Sequence, residues 1–157
     1  MKKLTIKIFL VIFIISGGFI LSKNNNKLME KERINKIENN INKEVILLFN
    51  STFNSSIILS KEMDVDKDGN TESFIIYKDN NKTWLTVSYR LGGQIMFSQP
   101  IPAPMEGQEI VFNDYDKDGI IEFIVSGYKE DKLGYGVYKF LNFKIIDIFS
   151  EGMKECC

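Results

Sequence analysis

Two stretches of this chain are near copies of one another. Asp64-Val-Asp-Lys-Asp-Gly-Asn-Thr-Glu72 and Asp114-Tyr-Asp-Lys-Asp-Gly-Ile-Ile-Glu122 agree at six of nine positions and lie 50 residues apart. A chain that repeats one short acidic segment at such a spacing is built from like units, and a period near 50 is that of blade-like repeats. Each copy follows a strand-like run, Ile57–Met63 or Glu109–Phe112, and precedes another, Phe74–Tyr77 or Phe123–Val125. Further strand-like segments come next: Thr83–Leu91 and Gln94–Ser98 in the first unit, Gly136–Phe143 and Lys144–Phe149 in the second. The pattern is clearest where Leu85, Val87, Tyr89 and Leu91 alternate with Trp84, Thr86, Ser88 and Arg90, the two-residue period of a strand with one buried face. Asp79-Asn80-Asn81, Gly92-Gly93, Glu106-Gly107 and Asp131–Gly134 supply turns. The proline-rich Gln99–Pro104 segment is unsuited to a central strand and joins the halves. The expected fold is mainly β: two antiparallel blade-like β units, residues 56–100 and 107–149, inside a domain spanning 46–157.

The acidic copies have the donor chemistry of calcium loops. Calcium takes six to eight oxygens, and a short loop supplies them when alternate residues turn inward. Asp64, Asp66 and Asp68 are spaced by two, as are Asp114, Asp116 and Asp118. Gly69 and Gly119 stand sixth, where a sharp turn is easiest without a Cβ. The backbone carbonyls of Asn70 and Ile120 stand seventh, and Glu72 and Glu122 close the set at position nine. Four carboxylates this close repel strongly, and a divalent cation removes that repulsion. An EF-hand begins the same way but needs Glu at position twelve and flanking helices; position twelve here is Ile75 or Val125, and the flanks are β-branched and aromatic. The same residues also suit plain hairpin turns, and magnesium is the competing ion. Duplication in one register favours two calcium sites.

The loop-then-strand pattern resembles the calcium loops of FG-GAP/VCBS-type repeats, found in integrin-like β-propellers and bacterial surface proteins. The resemblance covers roughly residues 56–149 and rests on Asp64, Asp66, Asp68 and Glu72, then Asp114, Asp116, Asp118 and Glu122. It departs from the family in placing Glu at the last ligand position, where Asp is usual. It also has no Phe-Gly or Gly-Ala-Pro signature, and two units cannot close a ring of blades.

Ahead of the β region the chain reads as export machinery and spacer. A basic start, Met1-Lys2-Lys3, leads into an apolar run ending near Leu21, so residues 1–22 are expected to be a signal peptide or a membrane anchor, with residues 4–22 spanning if uncleaved. The basic flank places the rest of the chain outside the cytoplasm. Residues 23–45 read as a polar helical stalk or linker, with Ile34, Ile37, Ile41, Val45 and Leu48 at helical steps. Lys2, Lys3, Lys7 and Lys23 are four of the 20 basic residues, and removing this acid-free segment leaves 16 against 21 acidic. That balance argues against nucleic acid as a partner.

No histidine is present, which excludes His-based nucleophile arrays and His-ligated zinc. The two cysteines, Cys156 and Cys157, are adjacent at the C-terminus and suit a disulfide-linked dimer, a soft metal or an inert tail. Trp84, Tyr89, Tyr128, Tyr135 and Tyr138 suit strand packing or a ligand surface. No catalytic motif stands out. The expected function is that of a non-enzymatic, calcium-binding β-module, membrane-anchored or secreted, that binds an unknown protein or surface polymer or serves envelope structure. The alternatives are an enzyme or accessory domain acting on an envelope polymer, and a regulatory sensor on a membrane stalk.

Overall fold

The computed structural model describes residues 41–157. The expected signal peptide or anchor over residues 1–22 and the expected stalk over 23–40 lie outside the described residues. Within them, no helix is long and apolar enough to cross a membrane.

Helix α1 (Lys43–Phe53) is followed by β1 (Ser56–Met63), β2 (Glu72–Asp79), β3 (Lys82–Leu91), β4 (Gln94–Phe97) and the short β5 (Ile101–Pro102). Then come β6 (Glu106–Asn113), β7 (Glu122–Lys129), β8 (Lys132–Leu141), β9 (Lys144–Glu151) and a terminal turn of helix, α2 (Met153–Cys156). The strands form two antiparallel sheets, β1-β2-β3-β4 and β6-β7-β8-β9, with β5 pairing β3 beyond the end of β4. Strands β1 to β4 each begin 50 residues before a strand of the second sheet, from Ser56 and Glu106 to Gln94 and Lys144, whereas β5 has no counterpart.

The sheets stack with unlike faces together. From the first sheet, Phe74, Ile76, Leu85 and Val87 enter the shared core; from the second, Ile110, Phe123, Val125, Tyr138 and Phe140. Adding 50 to Phe74 gives Ile124, not Phe123, so the face one sheet presents is the opposite of the face its partner presents. Because side chains alternate across a strand, this one-residue difference means a front-to-back stack. A symmetric sandwich would instead bury equivalent faces. Phe74 packs edge-on against Phe123 and Phe112, with ring centroids 4.7 and 4.9 Å apart.

A front-to-back stack leaves two unlike outer faces. On the first sheet, Ile75 and Tyr77 are covered by Ile41, Val45 and Phe49, with Trp84 and Phe97 at the margin. Apolar residues four apart fall on one side of a helix, which is why α1 can lie on this face. Asn42 caps its start by accepting from the Glu44 N–H at 2.9 Å, and Asn54, at φ 48°, ends it. On the second sheet, Val111, Ile124, Val137 and Phe149 stand in one row across the four strands. Val111 is 40% exposed and Phe149 52%.

Helix α1 continues through Phe53 and docks on the first sheet, and the first strand begins at Ser56, one residue before the expected run from Ile57. The strand expected over Gly136–Phe143 stops at Leu141, and Asn142 and Phe143 make the hairpin turn with φ 51° and 64°. They occupy the place of Gly92 and Gly93 in the first unit, where a left-handed pair is easiest.

Candidate metal centre

Each acidic loop connects the first two strands of its unit, and the two loops have the same internal hydrogen bonds. In the first, Asp64 Oδ2 accepts from the Gly69 N–H at 3.1 Å, Asp66 Oδ1 from Asp68 at 3.2 Å, and Asp68 Oδ1 from Asn70 at 2.7 Å. In the second, Asp114 Oδ2 accepts from Gly119 at 3.1 Å, Asp116 Oδ1 from Asp118 at 3.2 Å, and Asp118 Oδ1 from Ile120 at 2.8 Å. Asp is suited to such bonds because its short side chain reaches the backbone two residues on. The fourth residues, Lys67 and Lys117, lie at φ 59° and 61°, and Gly69 and Gly119 at 88° and 94°. These left-handed positions curl the chain so that alternate side chains converge.

Position nine is held from below. Glu72 and Glu122 open β2 and β7 and are 3% and 2% exposed. The N–H of Val65 donates to Glu72 Oε2 at 3.1 Å, and that of Tyr115 to Glu122 Oε2 at 2.7 Å. Carboxylate oxygens of Asp64, Asp66 and Glu72 come within 4.8 Å of one another, as do those of Asp114, Asp116 and Glu122. These two clusters could hold metal ions. Asp64 Oδ1 and Asp114 Oδ1 are buried and make no hydrogen bond. A buried, unpaired carboxylate oxygen is costly in a dry site, and a cation at the convergence of these side chains would satisfy it.

Not every expected ligand joins these clusters. The carboxylates of Asp68 and Asp118 lie at the loop tips, where they bond the N–H of Asn70 and Ile120. Asp68 Oδ2 also accepts from the Asn70 side chain at 2.9 Å. Backbone and side-chain bonds from Asn70 hold the Asp68 carboxyl below the usual range. For Asn70 and Ile120, expected to contribute their carbonyls, the bonds formed are those donated by their N–H groups.

Glu72 is the most perturbed carboxylate of the first cluster. Burial, opposed by the Val65 N–H and reinforced by the charges of Asp66, Asp68 and Asp64, pushes it up to about 7. The second cluster has a partner the sequence reading missed. Lys139, on β8, brings Nζ to 2.8 Å from Asp116 Oδ2, 2.5 Å from Asp118 Oδ2 and 2.8 Å from Glu122 Oε1. The contact with Glu122 is an ion pair without hydrogen-bond geometry. Bonds to Asp116 and Asp118, then Glu122, hold the Lys139 ammonium well above the ordinary lysine range. The Asp118 carboxyl is lowered, first by Lys139 and then by the Ile120 N–H. Extending the 50-residue comparison beyond the loops marks this position, since Lys139 stands where the first unit has Tyr89.

Away from the loops, a cleft of about 320 Å³ lies beside the N-terminus of α1, lined in part by Asn42, Glu62, Asn70, Ser73 and Arg90. Its one carboxylate, Glu62, is engaged by the Asn42 N–H and the Ser73 hydroxyl. At the C-terminus both thiols are free; Cys156 is fully buried and Cys157 partly exposed. A side chain at Gly134 would overlap the Cys156 sulfur, so the tail packs closely on β8. Comparison of the chain with protein-family models, with curated proteins and with solved structures gives no match in any of the three.

Proposed function

We propose that this β-domain is a calcium-stabilised, non-enzymatic module working outside the cytoplasm, in binding or in envelope structure. The observation that carries the reading is the pair of superimposable loops, each converging three carboxylates around a buried Asp oxygen that makes no hydrogen bond. An all-oxygen donor set at the end of a flexible loop suits calcium better than magnesium, which demands a tighter octahedron and keeps its waters. The ion would cross-brace the first hairpin of each unit and so complete folding after export. Extracellular sites of this kind bind at about 10⁻⁴–10⁻³ M, weak enough to fill only where calcium is abundant.

The front-to-back stacking of like units supports kinship with FG-GAP/VCBS-type repeats, the architecture the loop spacing resembles. The capping of one outer face by α1 supports a two-unit domain that needs no closed ring. Any intermolecular disulfide would run through Cys157, since Cys156 is buried.

Thermal melts of the full chain in calcium, magnesium and chelator test this reading. Millimolar calcium should raise the melting temperature well above the value in chelator, and magnesium should do so far less. Equal melting temperatures in all three would overturn the calcium assignment.

A further inference from the structure

We propose that the two acidic loops are unequal sites: Lys139 is the resident cation of the second loop, and the first loop is the stronger divalent-ion site. This rests on the calcium reading above and deepens it.

The two units are in strict register, so position 139 of β8 corresponds to position 89 of β3. At 139 the side chain is only 11% exposed and ends among three carboxylates of one loop, those of its third, fifth and ninth residues. Two of these, Asp116 and Glu122, belong to the converging cluster, whose oxygens calcium would need at about 2.3–2.6 Å. An ammonium 2.8 Å from the Asp116 and Glu122 carboxylates occupies the ground an ion would take, so ion and ammonium exclude each other. For a divalent ion to enter, Lys139 must withdraw and give up two charge-assisted hydrogen bonds, each stronger than a neutral one, and the ion pair with Glu122.

The first loop carries no such competitor. At position 89 the residue is Tyr, and its ring stacks on Phe143 of the second unit at 4.7 Å and tilts against Phe140 at 5.8 Å. Among the described residues, no Lys or Arg forms an ion pair with Asp64, Asp66, Asp68 or Glu72. The two loops therefore share one backbone and one set of acidic residues, but they differ by one positive charge placed at the ligand oxygens. Affinity in such loops follows the net charge of the ligand set, so the first must outbind the second.

The experiment is a calcium titration of the isotopically labelled full chain, following the amide resonances of Gly69 and Gly119 separately. Gly69 should reach its midpoint at a calcium concentration at least ~10-fold lower than Gly119. In Lys139→Met the Gly119 midpoint should fall by a similar factor, with that of Gly69 little changed. Lys139→Gln should do the same, so the test survives if the methionine variant folds poorly. Equal midpoints in the wild type, or a Gly119 midpoint unmoved in both variants, would overturn the assignment to Lys139 while leaving the calcium reading intact. Failure of both glycines to respond up to about 10 mM calcium would overturn both.

Discussion

The N–H of Ile121 donates to the carbonyl of Val65 at 2.8 Å, so a backbone hydrogen bond ties the second acidic loop directly to the first. Val65 is the second residue of its loop and is fully buried in the core between the sheets. Ile121 immediately precedes Glu122, which is itself buried. Ordering of one loop is therefore felt at the base of the other. The amide of Ile121 should exchange slowly with solvent, and calcium should slow it further by suppressing local opening. Asp66→Asn, which weakens the first loop alone, should abolish most of that calcium-dependent protection at Ile121. Calcium-dependent protection at Ile121 that survives in Asp66→Asn would mean that the loops respond independently.

Glu72 makes the cost of the ligand-free first loop measurable. It is 3% exposed and close to three other carboxylates, so its charge is unfavourable until a cation arrives. Glu72→Gln removes that charge and keeps an oxygen for the Val65 N–H. In chelator the variant should melt at or above the wild-type temperature, whereas in calcium it should lose more than half of the wild-type increment. For a domain of this size a change of 1 kcal/mol moves the midpoint by roughly 4–8 °C, so the two effects are readily resolved by calorimetry. A variant that melts lower in chelator and still responds fully to calcium would show that Glu72 is only a structural acceptor.

The same carboxylate predicts a pH dependence. Its ordinary value of 4.5 is raised to about 7 in the folded chain, chiefly by burial and then by Asp66, Asp68 and Asp64. Between those values the folded state holds a proton that the unfolded chain has released. Stability rises with pH only where the unfolded state binds more protons, so here it must fall as pH rises. In chelator, the melting temperature should decline from about pH 4.5 to about pH 7, the window set by the two values. In calcium the decline should be much shallower, because the ion replaces the proton. A pH-independent melt in chelator would contradict the raised carboxyl.

Much of this was legible in the chain. The loops, their duplication and the strands around them follow from alternation, turn residues and Asp spacing, which are local signals. What local signals do not carry is how one unit meets the next. Phe74 and Ile124 hold equivalent positions, yet one is core and the other lies on the outer face, because the stack joins unlike faces. Lys139 was missed because its partners lie 17 to 23 residues earlier, across a strand register that only the fold supplies. The helix over Lys43–Phe53 was hard to read because the run is rich in branched and aromatic residues, which suit strand and buried helix alike. The Asn142-Phe143 turn was hidden because phenylalanine does not resemble the glycine it replaces.

That helix yields the last prediction. Phe49 is fully buried, stacks on Phe53 at 4.9 Å and meets Tyr77 and Phe97 edge-on at 5.2 and 6.0 Å. It fixes α1 over a sheet face that would otherwise expose Ile75 and Tyr77. Truncating a core phenylalanine to alanine loses its transfer free energy and leaves a cavity, together costing about 3–5 kcal/mol. Domains of this kind have only ~5–15 kcal/mol in total, so Phe49→Ala should lower the denaturant midpoint sharply. Leu47, on the same helix but 71% exposed, is the control, and Leu47→Ala should change stability by less than ~0.5 kcal/mol. A loss below ~1 kcal/mol for Phe49→Ala would mean that α1 is a detachable linker and that the sheet face beneath it is free for another partner.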